Sequence, residues 1–285
     1  MIRPMYGFIG AAWLALATGA PRVQSVFRAS ADLVVIDAAV QDGRKPVGGL
    51  TKEDFEIRDN GIVQRVLDVS HESVPLDVTI TIDVSSSMTR KDRDLVKRAV
   101  TQVSDSLKPS DRARVIVFAA AVSEAKALSH PPISVDLSTT SDGTAVFDAL
   151  LLSLVSPPIV DRRQFVLFMT DGFDTSSSFD GSLAIETARH ASAATTVVLV
   201  PSRAPDQTRG MLVSVAAQTG GEVIELKGHD QLSQAFLTAL DNFRTSYMVR
   251  YIPTGVAKTG WHDVTVRVKS KNYSIRARRG YSVPT

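Results

Sequence analysis

The stretch Asp83-Val84-Ser85-Ser86-Ser87 places one carboxylate and two hydroxyls at alternate positions. An all-oxygen set of this kind suits a hard divalent cation, which takes carboxylates, hydroxyls, carbonyls and water in preference to nitrogen or sulfur. The same residue types also make ordinary turns, because their side chains bond readily to nearby backbone. The preceding run Leu76-Asp77-Val78-Thr79-Ile80-Thr81-Ile82 reads as a buried strand, so Asp83, Ser85 and Ser87 fall on the loop beyond its carboxyl end. In an open α/β sheet that is where ligands bind.

Two later segments extend the pattern. Ser141-Asp142-Gly143-Thr144 offers the Thr144 hydroxyl on a loop loosened by glycine, just before the helical pattern Ala145 to Leu150. Phe165-Val166-Leu167-Phe168-Met169-Thr170 is a second apolar strand, and its end presents Asp171, with Gly172 permitting a sharp turn.

In order, spacing and strand-end placement, Asp83-Val84-Ser85-Ser86-Ser87, Gly143-Thr144 and Thr170-Asp171-Gly172 resemble the three parts of the metal-ion-dependent adhesion site of von Willebrand factor type A domains. The resemblance covers roughly residues 74–245. It implies that Ser85 and Ser87 ligate Mg²⁺ directly and that Thr144 does so directly or through water. Asp83 and Asp171 would hold coordinated waters or move into contact with the ion, with Asp174 as a candidate orienting group. Mn²⁺ and Ca²⁺ are the other cations such a set could hold. Neutral hydroxyls quench the ion's charge poorly, so an Asp or Glu carboxylate of a protein partner would complete the octahedron. The resemblance thus implies a binding module and not an enzyme.

These residues must be positioned by elements around them. Residues 76–245 alternate strand and helix patterns, which predicts an α/β, Rossmann-like, doubly wound and mostly parallel sheet. Strands are expected over 76–83, 113–122, 164–170, 195–200 and 222–226. Helices are expected over 91–107, 144–155, 182–194, 208–219 and 230–244, the last with Asp230 as N-cap. Residues 26–75 and 246–285 are β-rich, with Asn60-Gly61 as a hairpin turn between strands expected over 55–58 and 63–69. Each end alone has too few strands for a secure core. Pairing the two ends into one small β-sandwich, with the α/β section inserted between them, is the economical arrangement. Gly49-Leu50-Thr51-Lys52-Glu53-Asp54-Phe55, Asp59-Asn60-Gly61 and Arg276-Ala277-Arg278-Arg279-Gly280-Tyr281 resemble segments of exported bacterial proteins related to these A domains.

Residues 1–25 read differently. Arg3, the apolar stretch Met5 to Ala17 and a small-residue exit describe a secretory signal peptide, or an anchor if uncleaved. The expected location is periplasmic or extracellular, with membrane contact only through an uncleaved leader. The 285 residues include 32 basic and 30 acidic ones, and two of the basic ones, Arg3 and Arg22, lie in this leader. The remainder is balanced, which leaves no global field to draw it onto nucleic acid. Cysteine is absent, so disulfides and thiolate chemistry are excluded. Nothing in the chain sets its oligomeric state.

Two other functions are weighed against binding. A strand-end Asp83 near a metal could serve a metal-dependent hydrolase, but phosphatases of that type use a second carboxylate where this chain has Ser85. A structural scaffold with a vestigial metal site is the other. Ser123-Glu124-Ala125-Lys126 spells a Ser-x-x-Lys motif, which needs a helix to bring both side chains together and here follows a strand. The five histidines have no ligand spacing and suggest surface or packing roles. The acidic opening section and basic closing section suggest charge neutralisation across the paired ends.

Overall fold

In a computed structural model of the chain, residues 33–283 are described, apart from 44, 72, 138–140, 157, 158, 160 and 202–204. The expected leader over 1–25 lies outside the described residues. The opening section supplies β1 (Val34–Asp42), β2 (Lys45–Pro46), β3 (Phe55–Asp59), β4 (Ile62–Gln64) and β5 (Val66–His71). Asn60 and Gly61 both take positive φ, 48° and 81°, as a tight hairpin between β3 and β4 requires.

The α/β section follows as β6 (Leu76–Asp83), α1 (Arg90–Ser106), β7 (Arg112–Phe118), β8 (Val122–Ser129), α2 (Val146–Leu154) and β9 (Arg163–Thr170). It continues as α3 (Gly181–His190), β10 (Ala194–Leu199), α4 (Asp206–Thr219), β11 (Val223–Glu225) and α5 (Leu232–Arg244). Its six strands lie in the order β11-β10-β9-β6-β7-β8, parallel except for the edge strand β8. Every residue of β6 and β9 is buried, as expected for central strands covered on both faces. One face packs against α1 and α5, and the other against α2, α3 and α4.

The closing section adds β12 (Tyr247–Tyr251), β13 (Gly260–Val268), β14 (Ser274–Ala277) and β15 (Gly280–Val283). One antiparallel sheet runs β14-β1-β12-β5 with β2 beside β1, and another runs β15-β13-β3-β4. Val34, Ile36, Ala38 and Val40 of β1, with Tyr247, Val249 and Tyr251 of the neighbouring β12, share the core between these sheets with Phe55 and Ile57 of β3. Alternation with period two therefore buries one face of β1 and leaves Val35 and Asp37 on the other.

Several sequence expectations need correction. The run 63–69 is not one strand: β4 pairs with β3 and β5 pairs with β12, so the chain changes sheets at Arg65. The strand expected over 113–122 stops at Phe118, and β8 folds back beside it. Ser123 and Lys126 lie on β8, not on a helix. Asp230 does not cap α5; it sits in a short 3-10 turn, His229–Gln231, ahead of a helix with no side-chain cap. The two chain ends do exchange charge: Lys271 pairs with Asp42 at 2.5 Å, and Lys269 donates to the Glu53 carbonyl. Arg276 instead pairs with Glu222 of the α/β section.

His262 is a packing residue of an unforeseen kind. It is buried with Asp59, whose carboxylate also accepts from the hydroxyls of Tyr251 and Tyr281 at 2.9 and 2.7 Å. This polar knot ties β3 and β13 to β12 and β15. No described helix is long and apolar enough to cross a membrane.

At the amino end of the parallel sheet, carboxylates meet arginines. Asp77 accepts from both Arg112 and Arg162. Asp111 accepts from Arg244 at 2.7 Å and from the amides of Leu76 and Lys108. Arg163, with a side chain only 2% exposed, pairs with Asp37 of β1 and donates to the Phe243 carbonyl at the end of α5. The Asp77 and Asp111 clusters tie the α/β section to itself, and the Arg163–Asp37 pair fastens it to β1 of the paired chain ends.

Candidate metal centre

The opposite, carboxyl end of the same sheet carries the residues singled out from the sequence. Strands β6 and β9 are parallel neighbours with Ile82 beside Met169, so Asp83 and Thr170 end side by side. The Thr170 hydroxyl donates to Asp83 Oδ2 at 3.0 Å, and the Ser85 amide donates to Asp83 Oδ1 at 3.0 Å. Held this way, the loop turns back on itself, with the Met88 amide bonded to the Ser85 carbonyl. The Oγ atoms of Ser85 and Ser87 lie 3.0 Å apart, and Ser87 Oγ donates to Asp171 Oδ2 at 3.4 Å. A capping box between Thr89 and Asp92 then starts α1 two residues beyond Ser87.

Thr144 arrives from a different direction. The Ser86 amide donates to the Ser141 carbonyl at 3.1 Å, which lays the 141–145 loop alongside the 83–87 loop. Gly143 adopts φ 86°, and a Cβ there would collide with the Ser176 hydroxyl and press on the Ala120 methyl. Thr144 is buried, and its hydrogen bonds among the described residues run through its backbone: its amide donates to Thr175 Oγ1, and its carbonyl accepts from the amides of Thr175 and Ser176. Asp83, Ser85, Ser87 and Asp171 therefore form a connected set, with Thr144 on the adjoining loop.

Asp174, the candidate orienting group, reaches the site through the start of α2. Its carboxylate accepts from the Val146 amide at 2.8 Å and from the Ser177 hydroxyl, so it caps the start of α2 two residues beyond Thr144. Ser177 Oγ accepts from the Phe147 amide, and Asp148 accepts from the amides of Ser178 and Phe179. Sequence reasoning gave no role to Thr170, Thr175, Ser177 or Asp148. The run Asp174-Thr175-Ser176-Ser177-Ser178 carried the available signal, since short hydroxyl and carboxyl side chains favour helix starts.

The electrostatics explain what this arrangement can hold. Asp83 is 2% exposed, and burial raises its pKa above the ordinary carboxylate value. Donors from Ser85 and Thr170 oppose that shift, while the Asp171 carboxylate reinforces it. A buried carboxylate facing a second one is costly without a compensating charge. Among the described residues no three His, Cys, Asp or Glu side chains form a metal cage. Hydroxyls supply the remaining oxygens here, and such a hard donor set fits Mg²⁺ and suits a thiophilic ion poorly.

No family model and no curated protein matches this chain. Its fold does recur among known structures. Proximal thread matrix protein 1 from the mussel byssus, with a zinc-occupied MIDAS motif, aligns over 65% of this chain and 49% of its own at 14% identity and TM-score 0.51. The chain thus spans about half the length of that mussel protein. A von Willebrand factor type A protein from Catenulispora acidiphila aligns over 87% of this chain and 73% of its own, at 12% identity and TM-score 0.48. An aerotolerance-related membrane protein from Bacteroides fragilis aligns over 58% of this chain and 98% of its own, at 18% identity and TM-score 0.47. Identities this low speak to architecture alone, and the mussel protein's alignment with the observed strand order sets the conclusion: the chain has a von Willebrand factor type A-like fold, α/β with a mostly parallel central sheet.

Proposed function

We propose that this chain is a metal-dependent protein-binding module that captures an acidic group of a partner through Mg²⁺ at Asp83, Ser85, Ser87, Thr144 and Asp171. The observation that carries this reading is the meeting of Asp83, Ser85, Ser87 and Asp171 at the ends of neighbouring strands, with hydroxyl and amide donors alone, among the described residues, on the buried Asp83. When bound, the cation would supply an electrophilic position for an outside carboxylate. Ser85 and Ser87 would offer neutral oxygens, and Asp83 would fix the loop through the Ser85 amide. Asp171 would bring a second negative charge from β9. Asp174 and Ser177 would hold the start of α2, and with it the position of Thr144.

Recognition is favoured over catalysis because the residue two places after Asp83 is a serine and not a second carboxylate. The leader-like segment at 5–17 supports a place outside the cytoplasm, periplasmic or extracellular, which cell fractionation tests. The metal reading is tested by thermal melts in Mg²⁺, Mn²⁺ and chelator. A cation at about 100 times its dissociation constant should add roughly 2.7 kcal/mol to the wild type and nothing to Asp83→Ala. Identical responses of the two proteins would remove the proposal. Capture of a partner from an envelope extract, released by chelator and absent with Asp83→Ala, would extend it to function.

A further inference from the structure

A second cavity, of about 450 Å³, opens at the end of the parallel sheet opposite the candidate metal centre. It lies between the amino ends of the parallel strands and the outer face of β1 and β12, the face turned away from the sandwich core. Its volume is within the range of small-molecule sites, about 300–1,000 Å³. Part of its wall is apolar. Leu33, Val35 and Ile159 are 50%, 39% and 39% exposed, and they line the cavity together with Met248. Apolar side chains left wet in a concave place favour a ligand that can cover them.

The rest of the wall is unevenly charged. Arg163 is matched by Asp37, and Arg250 by Asp68. Arg162 is not matched alone, because its carboxylate, Asp77, also serves Arg112. Arg278 donates to the carbonyls of Gly280 and Arg189, and among the described residues no carboxylate lies within ion-pair distance of it. Asp161 also borders the cavity, and Arg278 is its one lining arginine without an ion pair among the described residues. A guanidinium whose hydrogen bonds among the described residues go to carbonyls, with Asp37 acting on it only at longer range, still offers charge-assisted recognition to an acid.

We propose that this cavity binds an aliphatic carboxylic acid, with its chain on Leu33, Val35, Ile159 and Met248 and its carboxylate directed to Arg278. The inference is independent of the metal centre, so it is tested in chelator, by calorimetric titration of the full chain with decanoate. Saturable binding of one decanoate is expected. Decan-1-ol, which keeps the chain and loses the charge, should bind about tenfold more weakly, and decylamine should not bind. Arg278→Met should reduce decanoate binding to the level of decanol. Because Arg278 also fastens the end of α3, Val35→Trp serves as a second variant; it fills the cavity from an exposed position and should abolish binding of both ligands. Absence of saturable decanoate binding, equal binding of decylamine, or full binding by a folded Val35→Trp protein would each overturn the proposal.

Discussion

The two ends of the parallel sheet handle buried carboxylates in opposite ways. At the amino end, Asp77 and Asp111 face arginines at 2.6 to 2.8 Å, and Arg163 carries a similar pairing out to Asp37. At the carboxyl end, Asp83 is equally buried but receives only hydroxyl and amide donors, and its charged neighbour is another carboxylate. The first arrangement neutralises itself, and through Arg163 it also attaches the section to β1. The second leaves negative charge at Asp83 that no basic side chain among the described residues pairs with. On the proposed reading, β6 and β9 thus separate fastening from binding, with the arginines at the ends that begin the sheet and the ion at the ends that finish it.

That contrast makes its largest prediction at the attached end. Arg163→Met removes the ion-pair partner of Asp37 and the donor to the end of α5, leaving that largely buried carboxylate with only the longer-range charge of Arg278. Urea unfolding should show a loss of about 3–5 kcal/mol. A loss under about 1 kcal/mol would mean the arginines decorate this end without holding it. The complementary change at the open end should go the other way. Asp83→Asn keeps an acceptor for the Ser85 amide while removing charge, so in chelator it should unfold at or above the wild-type midpoint. In saturating Mg²⁺ the order should reverse by roughly 2–3 kcal/mol, since only the wild type gains from the ion. If Asp83→Asn is strongly destabilised in chelator, the two ends are alike after all.

Acid should act selectively on the attached end. Burial alone would raise the Asp111 pKa, but the Arg244 guanidinium and the amides of Leu76 and Lys108 outweigh it and hold the group below its ordinary value. A carboxylate depressed in the folded state stabilises fully above its unfolded pKa, near 3.9, and loses that contribution as pH falls through the lower folded value. Arg244→Met should therefore start acid unfolding at a higher pH than the wild type does. Overlapping acid transitions would show that Asp111 draws its stabilisation from the two amides alone.

Much of this contrast was legible in the sequence, and unevenly so. The open end was readable because its residues follow buried apolar runs directly: Leu76 to Ile82 fixes where Asp83 must emerge, and Phe165 to Thr170 does the same for Asp171. The attached end was not. Arg163 meets Asp37 across 126 positions, and no local pattern marks which arginine will be buried. How Asp174 could orient the site was hidden for a related reason: its partner amide is Val146, 28 positions earlier. The change of sheets at Arg65 was hidden because no Gly or Pro marks it between Ile62 and His71, and only the pairing partners of β4 and β5 differ.

The smallest prediction asks which element sets the geometry of the open end. Thr89 caps α1 two residues beyond Ser87, so either the cap or the strand end could position Ser85 and Ser87. Their contacts favour the strand end. Ser85 is bonded to Asp83 through its amide, and Ser87 reaches Ser85 and Asp171; neither side chain bonds to Thr89 or Asp92. Thr89→Ala loses the acceptor for the Asp92 amide, while the Asp92 carboxylate can still receive the backbone amide of residue 89. Urea unfolding should therefore show a loss of about 1 kcal/mol, the same with Mg²⁺ as with chelator. A loss confined to Mg²⁺ would transfer control of the loop to the helix start. The open end would then depend on α1, and not on the strands that the arginines secure from the far side.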